Sequence, residues 1–247
     1  MIEYYKPERE IAHGCKLPAN LDLAVWHYMD FGKFLALLQK RAIYLCRGDH
    51  LQDRFEGTYS NRQIKSMNDL FKKINEPEMI ELENERRTED REKAFISCWC
   101  LSDVDLDLMW KAYTNGPLDV AIKSTIRKLQ SVCDDAIKHW PLDICKVNYF
   151  DHAKGEKINY WGAPTVFMHK DNHFELDNEI RIMHWPNYST PPDHVYLPAD
   201  LEVLIDSIVT KPGTTKSQFE AIISLLQCYD LKNISVIYSR DDRTLIE

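Results

Sequence analysis

The chain has 247 residues, a formal net charge of −8, and 44% hydrophobic against 28% charged residues. This balance excludes a wholly disordered chain, a collagen and a coiled coil as descriptions of the whole. The acid excess makes a poor non-specific binder of phosphate backbones, so a nucleic acid would need a local basic groove.

Taken in chain order, the pattern mixes strands and helices. Ala24–Tyr28 reads as a strand. Asp30 then caps a helix marked by Phe31, Phe34, Leu35 and Leu38 at i, i+3, i+4, i+7. A second strand is predicted at Ala42–Cys46. Glu76–Lys93 holds eight acids, four bases and almost nothing apolar, which predicts an exposed charged insertion. Ala94–Cys100 is a third strand. Leu106, Met109, Trp110 and Tyr113 mark a helix behind Ser102, Asp119–Lys123 a strand, and Ile126, Leu129, Cys133, Ala136 and Ile137 a further helix. Strands follow at Lys146–Phe150, Glu179–Trp185 and Val203–Thr210. The last helix carries Phe219, Ile222, Ile223 and Leu226 behind a capping box of Ser217 and Glu220, and Ile234–Tyr238 closes the series. Helices and strands do not alternate regularly, so a doubly wound parallel sheet is not expected. The expected class is α+β, a mostly antiparallel split or sandwiched sheet with flanking helices. There is no repeat and no Gly/Ser linker, so residues 1–247 read as one domain. No apolar run approaches the roughly 18 to 20 residues of a membrane helix. The opening MIEYYKPERE has no signal-peptide core, and the expected location is cytoplasmic. Seven cysteines without a C-x-x-C pair read as reduced thiols. Cys98 and Cys100 share a strand face, but their spacing does not support a zinc site.

Several chemistries leave no trace. There is no P-loop, no G-x-G-x-x-G, no G-x-S-x-G elbow, no H-E-x-x-H helix and no kinase signature. A site must then be assembled from scattered residues. His27 and Tyr28 end a strand, with Arg47 on the next polar turn. Here His offers a directed hydrogen bond to a sugar hydroxyl and Tyr a face for a heteroaromatic ring; a core histidine and a capped turn are the alternative. Tyr113 closes its helix beside Asn115-Gly116-Pro117, where a phenol could face a pocket. Trp99, Met109 and Trp110 read as core. Ser124 and Thr125 end a strand and either cap the next helix or brace a catalytic acid. Glu179 and Arg181, at i,i+2, share one strand face, Ile180 and Ile182 the other. Glu179 is the candidate catalytic carboxylate and Arg181 the group that orients it; a strand-end ion pair facing water is the alternative.

As an ordered set the pieces resemble an uncharacterised bacterial family, a domain of unknown function. Its pattern is W-x-Y, D-x-x-E-G, C-W, M-W-x-x-Y, V-A-I-x-S-T and E-x-R. Here these are Trp26/Tyr28, Asp53/Glu56/Gly57, Cys98/Trp99, Met109/Trp110/Tyr113, Val120 to Thr125 and Glu179/Arg181. The match departs at Arg54, where proline is common, and implies no activity.

A second resemblance does imply one. The segment from His27 through the Phe34/Leu35/Leu38 helix to Tyr44 is similar to the opening of DarT-like ADP-ribosyltransferases, which modify nucleic acid. The order His27, then Tyr113 or Ser124/Thr125, then Glu179 is similar to the three motifs of that wider superfamily. The resemblance implies an ADP-ribosyltransferase-like fold, NAD as substrate, and a toxin or antiviral effector with an antitoxin partner; protein and nucleic acid are both open as acceptors, and the DarT-like likeness favours nucleic acid. Cleavage of the nicotinamide–ribose bond passes through an oxocarbenium-like state. Its leaving group is already cationic, so one carboxylate, Glu179, suffices. His27 would hold ribose, Tyr28 or Tyr113 would stack on nicotinamide, Arg47 would take the pyrophosphate and Ser124 would brace the acid. No metal is required. The rivals are a metal-dependent nuclease using Asp53, Glu56 and Glu179, and a non-catalytic interaction module.

Overall fold

The computed structural model describes residues 16–240, apart from 54, 137–139, 153, 155–157, 159–162 and 187. Arg54 and Ile137 therefore lie outside the described residues, as does the opening MIEYYKPERE.

Strand β1 (Ala24–Met29) leads into helix α1 (Phe31–Lys40), where the Asp30 side chain accepts the Lys33 N–H as the spacing predicted. Arg41, at φ 47°, ends the helix and turns the chain into β2 (Ala42–Arg47). After α2 (Asn61–Lys73) and α3 (Met79–Lys93) come β3 (Phe95–Leu101) and α4 (Asp107–Tyr113). Next are β4 (Val120–Thr125), α5 (Ile126–Ala136), β5 (Leu142–Lys146) and β6 (Asn148–Phe150). Helix α6 (Ala163–Val166), β7 (His169–Asp171), a 3₁₀ turn (Asn172–Asp177) and β8 (Glu179–His184) follow. The chain then forms β9 (His194–Pro198), α7 (Leu201–Leu204), β10 (Ser207–Thr210), α8 (Lys216–Cys228) and β11 (Ser235–Tyr238).

Nine strands form one sheet, with β11-β10-β4-β1-β3-β2-β9 in order and β8 and β5 added beside β3. Only the β10–β11 pair is parallel within it; β6 and β7 make a separate parallel pair. Strand β3 carries β8 along one edge, from Phe95↔His184 to Cys100↔Glu179. Its other edge is divided. β1 takes Cys100 and Leu101, and β2 takes Ile96 and Phe95. The sheet thus forks at β3, and α1 joins the two tines.

Strand alternation sorts the side chains into two layers. Val25, Trp99, Ile180 and Ile182 face the main core with the apolar stripes of α1, α5, α7 and α8. The opposite face holds Trp26, Tyr28 and Cys100 under α4, and Ile96, Cys145 and Met183 against Phe167 and Met168.

Several predicted boundaries move. Lys146–Phe150 splits at Val147, whose N–H reaches the Glu179 carbonyl while Asn148 turns to Met168. The apolar run at 203–210 begins as helix because Asp200 caps it by accepting the Glu202 and Val203 N–H groups. The capping box of α8 is Thr215 and Gln218, two residues before Ser217 and Glu220. Ser102 does not cap α4; its hydroxyl donates to Val104 O. The charged stretch is helical: α3 buries no residue and is laced by Arg86–Glu83, Arg86–Asp90 and Lys93–Glu89 pairs. Among the described residues no helix is long and apolar enough to cross a membrane, and the six described cysteines are free thiols.

Candidate active site

Asn178, at φ 41°, ends the 3₁₀ turn and starts β8, its side-chain amide donating to Leu101 O at 2.7 Å. All six residues of β8 are buried. Ile180 and Ile182 enter the main core, so alternation directs Glu179 and Arg181 to the other face. At these two residues that face is covered, and both side chains are buried.

The two charges are the centre of a network. Glu179 Oε2 accepts Arg181 Nε at 2.7 Å, and its Oε1 accepts Lys170 Nζ at 2.6 Å. Arg181 Nη1 also donates to Glu56 Oε1 (2.6 Å) and Phe167 O (2.7 Å). Lys170 reaches Asp177 at 2.8 Å and lies 4.6 Å from the Phe174 ring centroid. The Glu179 N–H donates to the Tyr149 hydroxyl at 2.9 Å. Burial alone would push the Glu179 carboxyl up, but the Arg181 and Lys170 charges outweigh it and hold it at about 2. Burial would likewise lower Lys170, and Glu179 and Asp177 raise it instead. Asp177 behaves oppositely to Glu179: desolvation raises its carboxyl, only partly offset by Lys170. Three carboxyls thus face two cations, which leaves one negative charge in excess. Tyr113, 38% exposed, stands at this edge. Its phenol is raised by desolvation and by the charges of Asp177 and Glu179.

The D-x-x-E-G segment has a structural explanation here. Glu56 supplies the Arg181 partner, and Gly57 lets the Phe167 ring close over the turn. A Cβ at Gly57 would stand 2.3 Å from Phe167 Cζ, and φ there is +70°.

The other sequence candidates do not converge on Glu179. Tyr28 is 7% exposed, packs edge-on to Trp110 at 4.9 Å and accepts the Leu106 N–H through its hydroxyl. No open ring face remains for stacking, which leaves Tyr113 of the two tyrosines. Arg47 pairs with Phe95, five residues along β3 from the Cys100 opposite Glu179, about 17 Å at strand rise. Its guanidinium is spent on Asp49 (2.7 Å) and Asp193 (3.2 Å). Ser124 is fully buried on the main-core side, donating to Leu204 O at 2.5 Å, so it ties α7 to β4 and braces no acid. Thr125 caps α5 by accepting the Lys128 N–H at 3.3 Å.

His27 follows Trp26 and so points to the opposite sheet face from Glu179, its ring 4.9 Å from that of Trp99. It sits in the fork, where β3 has lost β1 and not yet gained β2. Nδ1–H donates to the Cys98 carbonyl at 2.8 Å and satisfies a backbone group the divided edge leaves open. Desolvation pushes the imidazole down to about 4. The unfolded chain binds a proton near pH 6.5 and the folded one does not, so stability falls as pH drops from 6.5 towards 4. Allowing for its partial exposure, the expected loss is about 1 to 3 kcal/mol. Urea unfolding of His27→Gln should show a flatter pH dependence across that window; an unchanged slope would rule this placement out as the cause.

The nuclease constellation does not assemble either. Arg181 stands between Glu56 and Glu179, filling the position a cation would need, and the Asp53 carboxylate accepts the Phe55 N–H. Among the described residues no group of three His, Cys, Asp or Glu could hold a metal ion. Lys170, Asp177 and Phe174 are the partners sequence reasoning missed; only the acidic run at 175–179 hinted at them. On the other flank of α4 an open cleft of about 440 Å³ is lined by Asp107, Trp110, Lys111, Thr114, Lys211 and neighbours. No protein-family model, no curated protein and no solved structure matches the chain.

Proposed function

We propose that the protein is an NAD-dependent ADP-ribosyltransferase-like enzyme whose chemistry centres on Glu179. The observation that carries this reading is the Glu179–Asp177 carboxyl pair beside the partly exposed ring of Tyr113. A flat cationic ring such as nicotinamide suits that combination, since aromatic faces and a carboxylate both attract it. Glu179 cannot take up a proton at neutral pH, and its two ion pairs fix it in place. A fixed carboxylate is what an oxocarbenium-like state requires. Its remaining lone pairs can accept a ribose hydroxyl, and Asp177 is the more exposed of the two carboxylates. Lys211, at the cleft beyond α4, offers a cation for the pyrophosphate that Arg47 is too distant to hold, whereas Lys111 there is held by Asp107. The forked, mostly antiparallel sheet supports an ADP-ribosyltransferase-like fold. A cytoplasmic toxin or antiviral effector, with nucleic acid as acceptor and an antitoxin as partner, is the biological setting this reading entails.

The test is incubation with NAD labelled in the adenylate, with separate pools of DNA, RNA and protein, following both transfer and nicotinamide release. Glu179→Gln removes the charge at constant shape and should lower turnover by about 10²- to 10³-fold or more. Asp177→Asn should be milder. Absence of both transfer and nicotinamide release with the wild type, or full turnover by folded Glu179→Gln, would overturn the proposal.

A further inference from the structure

The outer face of the β2–β9 wing carries an aromatic cluster that the transferase reading leaves unused. Tyr44 on β2 pairs with Tyr196 on β9, and Cys46 with His194. Their side chains therefore rise from the same face. Tyr44 and His194 are stacked, centroids 5.0 Å apart and planes 27° from parallel. Tyr196 meets both edge-on, at 5.8 Å from Tyr44 and 5.1 Å from His194. This is an exposed surface: Tyr44 is 37% exposed and His194 is open to solvent. Three rings held together on an open sheet, rather than beneath a helix, have no evident role in the core.

Lys40, exposed at the end of α1, places its ammonium 5.7 Å from the Tyr196 ring centroid. Lys33, further back on the helix, is paired with Asp30 at 3.4 Å. The nearest carboxylates, Asp49 and Asp193, are both engaged by Arg47. Aromatic faces beside the exposed Lys40 ammonium match the two requirements of a single-stranded nucleic acid: bases that stack and phosphates that need cations.

We infer that this surface, Tyr44, His194 and Tyr196 with Lys40, binds single-stranded nucleic acid by base stacking. A base extends the Tyr44–His194 stack and the backbone runs past Lys40. The readout is tolerant of sequence, because every base has a π-face. The register Cys46↔Ile96↔Met183 puts Tyr44 on the same face of the sheet as Arg181 and Glu179. The inference goes beyond the transferase reading by assigning a surface. Binding needs no NAD, so its failure and the failure of that reading are separable.

The experiment is fluorescence anisotropy of labelled 12-nucleotide oligo-dT and oligo-U on the full chain, without NAD, over a range of salt. Binding of either oligomer, weakening with salt, is expected. Tyr44→Ala should weaken it about 5- to 100-fold, while Tyr44→Phe retains it. Lys40→Gln should weaken it and reduce the salt dependence. Tyr44 is on the surface, and unchanged thermal midpoints confirm folded variants. No binding at low salt, equal binding by folded Tyr44→Ala, or capture of a proline-rich peptide in place of either oligomer overturns the inference.

Discussion

Replacing Arg181 with methionine is expected to cost about 3 to 5 kcal/mol of folding stability at neutral pH, the range for removing one partner of a buried charge network. Arg181 is 0% exposed and is the charged partner of both Glu56 and Glu179. Its loss strands Glu56 completely and leaves Glu179 with Lys170 alone. The pH dependence then changes sign. In the wild type the Glu179 carboxyl is depressed to about 2, so its contribution is complete above pH 4.5 and is lost as pH falls towards 2. In the variant the stranded carboxyls prefer to be protonated, so the folded state binds more protons than the unfolded one and stability drops as pH rises from about 4.5. Urea unfolding at pH 5 and pH 7.5 measures both effects. A variant within 1 kcal/mol of the wild type at pH 7.5 would show that the network carries little stability.

Gly57→Ala should cost about 3 kcal/mol or more, which is large for the addition of one methyl group. Two penalties coincide. The positive φ of 70° disfavours any Cβ, by roughly 1 kcal/mol, and the new carbon would lie 2.3 to 2.8 Å from three atoms of the Phe167 ring. The ring cannot move freely, because the Phe167 carbonyl holds Arg181 and its side chain is fully buried. Gly213 is the internal control, since it too has positive φ, 83°, but nothing lies within 4 Å of its added Cβ. Gly213→Ala should show the backbone penalty alone. Equal thermal midpoints for the two variants would remove the steric part of the argument.

The residues that made most of the sheet legible are short β-branched and aromatic runs such as AVWHYM, FISCWCL and EIRIMH. Strand β9, HVYLP, escaped because only Val195, Tyr196 and Leu197 lie between its terminal His and Pro, and its partner β2 is far away in sequence. Helix α2 escaped because only Gln63 and Met67 are buried along its 13 residues. At α8 the sequence carries two overlapping S/T-x-x-E/Q boxes, and only the fold selects Thr215. The pairing of Arg181 with Glu179 was readable from i,i+2 spacing. Its burial was not, because covering that face takes Glu56 from one segment and Phe167 and Lys170 from another, both distant in sequence. His27 misled for a similar reason: a polar residue at a strand end looks the same whether it faces a ligand or closes a gap in the backbone ladder.

The divided edge of β3 also bears on how the protein comes apart. β8 protects one side of β3 over its whole length, while β1 and β2 protect only its two ends on the other. The two tines share no ladder hydrogen bonds with each other along this edge. Amide exchange should then separate into two cooperative units that meet at Cys98, with the amides shared by β3 and β8 the last to be lost. The 47 residues between β2 and β3 carry helix α3, which buries nothing. It can unfold independently of both, a locally labile segment hinged on the most protected strand in the molecule.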